Sequence, residues 1–101
     1  MILIYVTTKN LAEAKMIGRK LVKEKLAACV NILPKMKSIY SWKGKIESAN
    51  EVVLLVKTAN RNYGKVEKRV KQLHSYTVPC VIKLPVTAGS RDYFKWIESE
   101  S

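Results

Sequence analysis

Four side chains in this sequence carry soft or borderline donor atoms: Cys29, Met36, His74 and Cys80. Thiolate, thioether and imidazole suit copper, and imidazole also suits zinc. Their spacing closes no local motif, because the chain has no Cys-x-x-Cys and only one histidine. Each cysteine sits in an apolar, strand-like segment, where a buried structural thiol is the commoner outcome. His74 ends a helical segment in Leu73-His74-Ser75-Tyr76. It can cap the helix C-terminus there, or bind a divalent ion weakly. Glu47 and Glu51 are the carboxylates nearest the middle of the chain; on a strand they lie ~13 Å apart and read as surface groups. A nucleophile elbow, a phosphate-binding glycine loop and a dinucleotide fingerprint are all absent. A non-enzymatic protein is expected.

The elements that must position these residues follow from periodicity. Residues 2–8 are β-branched and aromatic and predict a buried central strand. Asn10 and Glu13 form a variant capping box for a helix over about 10–26, with Leu11, Ala14, Ile17, Leu21 and Leu26 at helical spacing. A second strand starts at Ala28-Cys29 and is interrupted by Pro34, which predicts a bulge or an edge position. Lys43-Gly44 is a tight turn into a third strand through Val52–Val56. A second helix covers about 60–73, a fourth strand runs from Val81 to Leu84, and Ser90 caps a last short helix. The order βαββαβ plus a helix is the α+β, ferredoxin-like arrangement. A single domain over 1–101 is expected, with sheet order 4-1-3-2. That order puts Cys29 and Cys80 on opposite edges, ~14 Å apart, too far for an intrachain disulfide.

The arms of the central hairpin, about 28–42 and 45–58, far exceed the usual ~5–6 residues of a strand. Unbroken, such an arm approaches ~50 Å, against a radius of gyration near ~13 Å for a domain of this length. The hairpin must bend, overhang, or both. An overhang carrying Ile39, Tyr40, Trp42 and Ile46 exposes an apolar surface, and such surfaces mark interfaces. A homo-oligomer is the expectation.

Nineteen Lys and Arg against eight Asp and Glu give a net charge of +11. Charge of this size favours polyanions in general. The basic residues occur in nearly every segment, however, and form no tail, so they read as solubilising surface. RNA-recognition sheets stack bases on central-strand aromatics, and Glu51–Lys57 has none, so a nucleic-acid partner is not expected. No apolar run reaches the ~18–20 residues of a membrane span, and Met1–Val6 lacks the features of a signal peptide. A cytoplasmic protein is the default.

Several segments resemble one family. Leu26-Ala27-Ala28-Cys29-Val30-Asn31-Ile32 is similar to its Leu-Ala-Ala-Cys-Val-Asn-Ile strand, and Ser38 through Glu47 to its Ser-x-Tyr-x-Trp-x-Gly-x-Ile-Glu hairpin. Glu51–Thr58, Leu84-Pro85-Val86 and Tyr93-Phe94-Lys95-Trp96 match as well. The family is CutA, the divalent-cation tolerance proteins. The resemblance implies a ferredoxin-like homotrimer, a link to tolerance of copper and other divalent ions, and Cys29 and His74 as copper ligands. It also implies that Tyr40, Trp42, Glu47, Lys57, Tyr76 and Trp96 belong to intersubunit clefts or interfaces. Some members have a thiol in the first helix region, which this chain lacks. The family's His-Pro-Tyr is His74-Ser75-Tyr76 here, and its Val-Pro-Glu is Val78-Pro79-Cys80. Cys80 thus joins the metal candidates and shifts the expected preference toward softer ions. The other readings are a signalling-type trimer with a small molecule or protein in its clefts, and a polyanion binder.

Overall fold

Alternation of large apolar side chains builds the first strand, β1 (Ile2–Thr8): Ile2, Ile4 and Val6 point into the core. The computed structural model describes residues 1–101. After β1 come α1 (Leu11–Lys23), the hairpin of β2 (Cys29–Trp42) and β3 (Lys45–Thr58), a 3₁₀ turn (Asn60–Asn62) running into α2 (Tyr63–Leu73), β4 (Val81–Pro85) and α3 (Arg91–Glu100). The antiparallel sheet has the order β2-β3-β1-β4, which is the expected one read from the other edge. α1 and α2 cover one sheet face, and the core forms from Ile4, Val6, Ile17, Leu21, Leu54, Val56, Val66 and Val70.

The other face of the sheet is only partly covered. It carries Leu3 and Tyr5 of β1, Leu33 of β2, Leu55 of β3, and Ile82 and Leu84 of β4. Leu33 and Ile82 keep about half their surface accessible, at 48% and 49%.

Two turns locate the element ends. Lys43 (φ 50°) and Gly44 (φ 77°) both take positive φ, the signature of the two-residue turn that suits the twist of a hairpin. α1 stops at Lys23, earlier than the periodicity through Leu26 predicts. Lys25 adopts φ 61°, and the Lys25 and Leu26 amides donate to the Val22 and Leu21 carbonyls. That is a Schellman stop built on a lysine instead of the usual glycine. Lys25→Gly is therefore expected to stabilise the protein by about 0.5–1 kcal/mol, because the left-handed conformation costs glycine nothing. Its thermal midpoint should rise accordingly.

Pro34 does act as a bulge. The β2–β3 register shifts between Leu33 and Met36, and Lys35 sits at φ 66°. β1 pairs with β3 only from Val52 to Thr58, so Met36–Trp42 and Lys45–Glu51 pair with each other alone. The hairpin overhangs the body and stretches the molecule to 45 × 26 × 23 Å. At its tip Ile39 and Ile46 are 73% and 77% exposed.

Candidate functional site

At the upper end of β1 a cleft of about 460 Å³ opens between the hairpin and the loop that follows α2. Its lining includes Thr7, Tyr40, Trp42, Glu51, Tyr76 and Cys80. β1 supplies Thr7, the hairpin arms supply Tyr40, Trp42 and Glu51, and the loop into β4 supplies Tyr76 and Cys80.

The loop is held from below. Asn10 caps α1 by accepting from the Glu13 amide at 2.8 Å. Glu13 returns one carboxylate oxygen to the Lys9 amide (3.0 Å) and the other to the Ser75 amide (2.9 Å). The capping box thus reaches one residue further back than its standard form, and the same carboxylate ties down the cleft loop. Burial pushes the Glu13 carboxyl up, but the hydrogen bonds from Ser75 and Lys9 outweigh it and hold the group below its ordinary 4.5. A lowered carboxyl stabilises the fold fully above its unfolded value, and that contribution is lost as pH falls through the folded value. Glu13→Gln should cost about 1–3 kcal/mol near neutral pH. It should also flatten the loss of stability below pH 4.5, as read by denaturant melts across the acid range.

His74 was expected as a copper ligand, and the hydrogen bonding gives it a different task. Its Nε2 lies 2.7 Å from the Thr7 carbonyl oxygen, and its Nδ1 accepts from the Tyr76 amide at 3.0 Å. The ring is therefore the neutral tautomer with the proton on Nε2. It is buried, with both nitrogens committed, and packs 4.8 Å from the Tyr76 ring. No lone pair remains for a metal. His74 instead fastens the cleft loop to β1.

Tyr76 donates its hydroxyl to Glu51 at 2.8 Å. Burial, then the Glu51 hydrogen bond and charge, push this phenol up to about 12. Cys80 is a half-buried free thiol in the same cleft. Burial raises its pKa first and the Glu51 charge adds to it, while the Thr7 hydroxyl pulls the other way. Glu51, read from sequence as a surface carboxylate, is the acidic group of the cleft. Only its packing against Tyr76, distant in sequence, reveals this.

The remaining candidates lie elsewhere. Glu47 is exposed opposite Tyr40 on the overhang and does not line the cleft. Cys29 begins β2, cross-strand from Lys57. It is a free thiol beside a cation, at the opposite end of the sheet from Cys80. Lys57 donates to the Tyr93 hydroxyl at 3.1 Å and lies over that ring, and Tyr93 stacks at 5.8 Å on Trp96. Cys29, His74 and Cys80 are thus not brought together in one chain, and no three His, Cys, Asp or Glu side chains cluster as a ligand set.

A ferredoxin-like sheet, an overhanging hairpin and an aromatic cleft at its root define the class of protein. The chain belongs to the CutA1 divalent ion tolerance family, whose pattern it matches over residues 2–100. It is 44% identical over 95 residues to the divalent-cation tolerance protein CutA of Archaeoglobus fulgidus, covering 94% of this chain and 92% of that protein. Its identity to the Thermus thermophilus protein of the same name is 42% over 98 residues, covering 97% of this chain and 95% of that one. The solved Thermus thermophilus structure superposes with a TM-score of 0.97 at 41% identity, covering 100% of this chain and 99% of the other. A structure described as the periplasmic CutA of Archaeoglobus fulgidus gives 0.95 at 42% identity, covering 99% and 98%. The chloroplastic CutA of Arabidopsis thaliana is 41% identical over 100 residues, which is 99% of this chain and 55% of that protein. No helix of this chain is long and apolar enough to cross a membrane.

Proposed function

We propose that the chain works as a non-enzymatic, cytoplasmic homotrimer that binds a divalent cation, copper foremost, in its aromatic clefts and so contributes to metal tolerance. One observation carries this reading: the Cys80 thiol and the Glu51 carboxylate share one cleft. A thiolate and a carboxylate are complementary donors for a borderline-soft ion. Two donors do not close a coordination sphere. The cleft opens beside the exposed apolar hairpin, and in the proposed trimer a second copy seated there would supply the donors that one copy lacks. The relatives' names, divalent-cation tolerance proteins, point the same way. The open sheet face and the overhang supply the apolar area that an obligate oligomer requires.

Calorimetric titration of Cu(II) and Zn(II) into the protein, paired with sedimentation, tests the reading. Stoichiometric Cu(II) binding by a trimer, weakened in Cys80→Ser and kept in Cys29→Ser, supports it. Equal binding by Cys80→Ser overturns the site. Tyr40 and Trp42 wall the cleft with flat aromatic surface, which favours the second reading, a planar organic ligand. Metal-independent ligand binding lost in Trp42→Ala would establish that alternative.

A further inference from the structure

The basic residues are spread along the chain but not over the molecule. Residues 11–25 and 60–73, the two helices with their flanks, hold ten basic against three acidic side chains, a net of +7 out of the +11. Four of the ten basic residues are ion-paired, Arg69 and Lys71 within the helices and Arg61 and Lys25 with Glu98 and Glu100 of α3, which leaves six unpaired. Glu13 is buried against Lys9 and Ser75. Glu24 accepts from Arg69 Nη2 and Nε, at 2.8 and 2.9 Å, in the seam between the helices. Glu67 accepts from Tyr63 at 3.0 Å and lies 4.0 Å from Lys71.

On α1, Lys15, Arg19 and Lys23 stand at i, i+4 and i+8, all exposed, so they form a stripe with ~6 Å steps opposite the buried face. On α2, Lys65 and Lys68 are exposed beside it. None of these five has a carboxylate within ion-pair distance. α1 and α2 pack against each other on the sheet, so the stripes form one plate ~20 Å long. The plate lies on the face opposite the apolar sheet surface, and oligomerisation through that surface leaves it outward.

We propose that this two-helix plate is a docking surface for the phosphate backbone of a nucleic-acid duplex, bound without sequence preference. A duplex presents one negative charge per ~1.7 Å of its axis, and lysine and arginine bind it by displacing condensed counterions. Backbone contact needs no aromatic side chain, so the lack of stacking aromatics in β3 does not bear on it. A bilayer is the poorer fit. Interfacial helices insert Trp, Phe or Leu between their basic residues. Here the exposed apolar side chains of α1 are Leu11, Met16 and Val22, with no Trp or Phe among them, and α2 has no exposed large apolar side chain.

The test is fluorescence anisotropy of a labelled, random-sequence 20-base-pair DNA duplex with the full-length protein at several salt concentrations. About six phosphate contacts predict roughly a 10³-fold loss of affinity between 50 and 200 mM salt. The triple variant Arg19→Glu, Lys23→Glu, Lys68→Glu should lower the log–log salt slope by about 3 and the affinity at low salt by at least about 30-fold. A control with the same charge change elsewhere, Lys37→Glu, Arg91→Glu, Lys95→Glu, should stay within about threefold of the parent. Equal losses in the two variants, or no duplex binding at 50 mM salt, overturn the proposal. So does binding to phosphatidylserine vesicles under conditions where the duplex is not bound.

Discussion

If the chain assembles as the proposed trimer of about 34 kDa, three times 11.5 kDa, Leu55→Asp is expected to yield folded monomers. Leu55 sits at the centre of the open sheet face, flanked by Tyr5 on β1 and Asn31 on β2. Its neighbours Leu54 and Val56 point the other way and are fully buried under the helices. Leu55 is half-buried in one chain, so a carboxylate there keeps partial access to water that an assembly covering this face would remove. Burying an unpaired charge costs several kcal/mol, and a three-fold assembly repeats the cost in every copy. The association constant should fall by at least about 10³-fold. Far-UV circular dichroism should keep its shape, because the helix-side core is untouched. A variant that still sediments as a trimer would show that the open face is not the contact. Leu55→Thr, smaller and uncharged, guards against a folding defect: it should weaken association partially while remaining cooperative in denaturant. Ile46→Lys separates the two apolar surfaces. At the exposed hairpin tip it should weaken association only to the degree that the overhang itself is an interface.

The same geometry explains why the fold was legible in the sequence and the site much less so. Periodicity along Ile2–Thr8, the Asn10–Glu13 cap and the Lys43-Gly44 turn are local signals, and each element formed where its residues ask for it. Pro34 announced the register shift, because a proline cannot donate to a ladder. The end of α1 was less legible: apolar spacing continues through Leu26 while a lysine in the left-handed region stops the helix. Site chemistry depends on contacts between distant segments. His74 looks like a ligand in sequence, yet Thr7, 67 positions away, takes one of its nitrogens. Glu51 looks like surface until Tyr76 closes on it. Of the residues that the family resemblance assigns to clefts or interfaces, Tyr40, Trp42 and Tyr76 line one cleft of the single chain, while Lys57 and Trp96 pack around Tyr93. Charge behaved in the same way. Nearly even spacing along the chain becomes one basic plate once the two helices share a face.

Metal affinity in the cleft should climb steeply with pH, and the Glu51→Gln variant should separate two roles of that carboxylate. A thiol binds metal as thiolate and must release its proton to do so. The Cys80 thiol lies above its ordinary 9.0, raised by burial and then by the Glu51 charge. Below that value each unit rise in pH removes one unit of proton competition, so apparent Cu(II) affinity should gain about tenfold per pH unit. Cys80→Ser should abolish most of this slope and lower affinity by at least about 100-fold, since losing a direct donor exceeds the 10–100-fold effect of an outer one. Tyr76 does not contribute to the slope, because its phenol, pushed up to about 12, remains a donor to Glu51. Glu51→Gln removes a negative charge beside the thiol. Thiolate absorbance should then appear at lower pH than in the parent. If Glu51 merely repelled the thiolate, the variant would bind Cu(II) more tightly at neutral pH. If Glu51 is itself a donor, affinity should fall by at least about tenfold although the thiol ionises more easily. The second outcome is expected. Opposite movements of thiol pKa and metal affinity in a single variant are difficult to produce by loosening the fold, which would shift both toward the values of an unfolded chain.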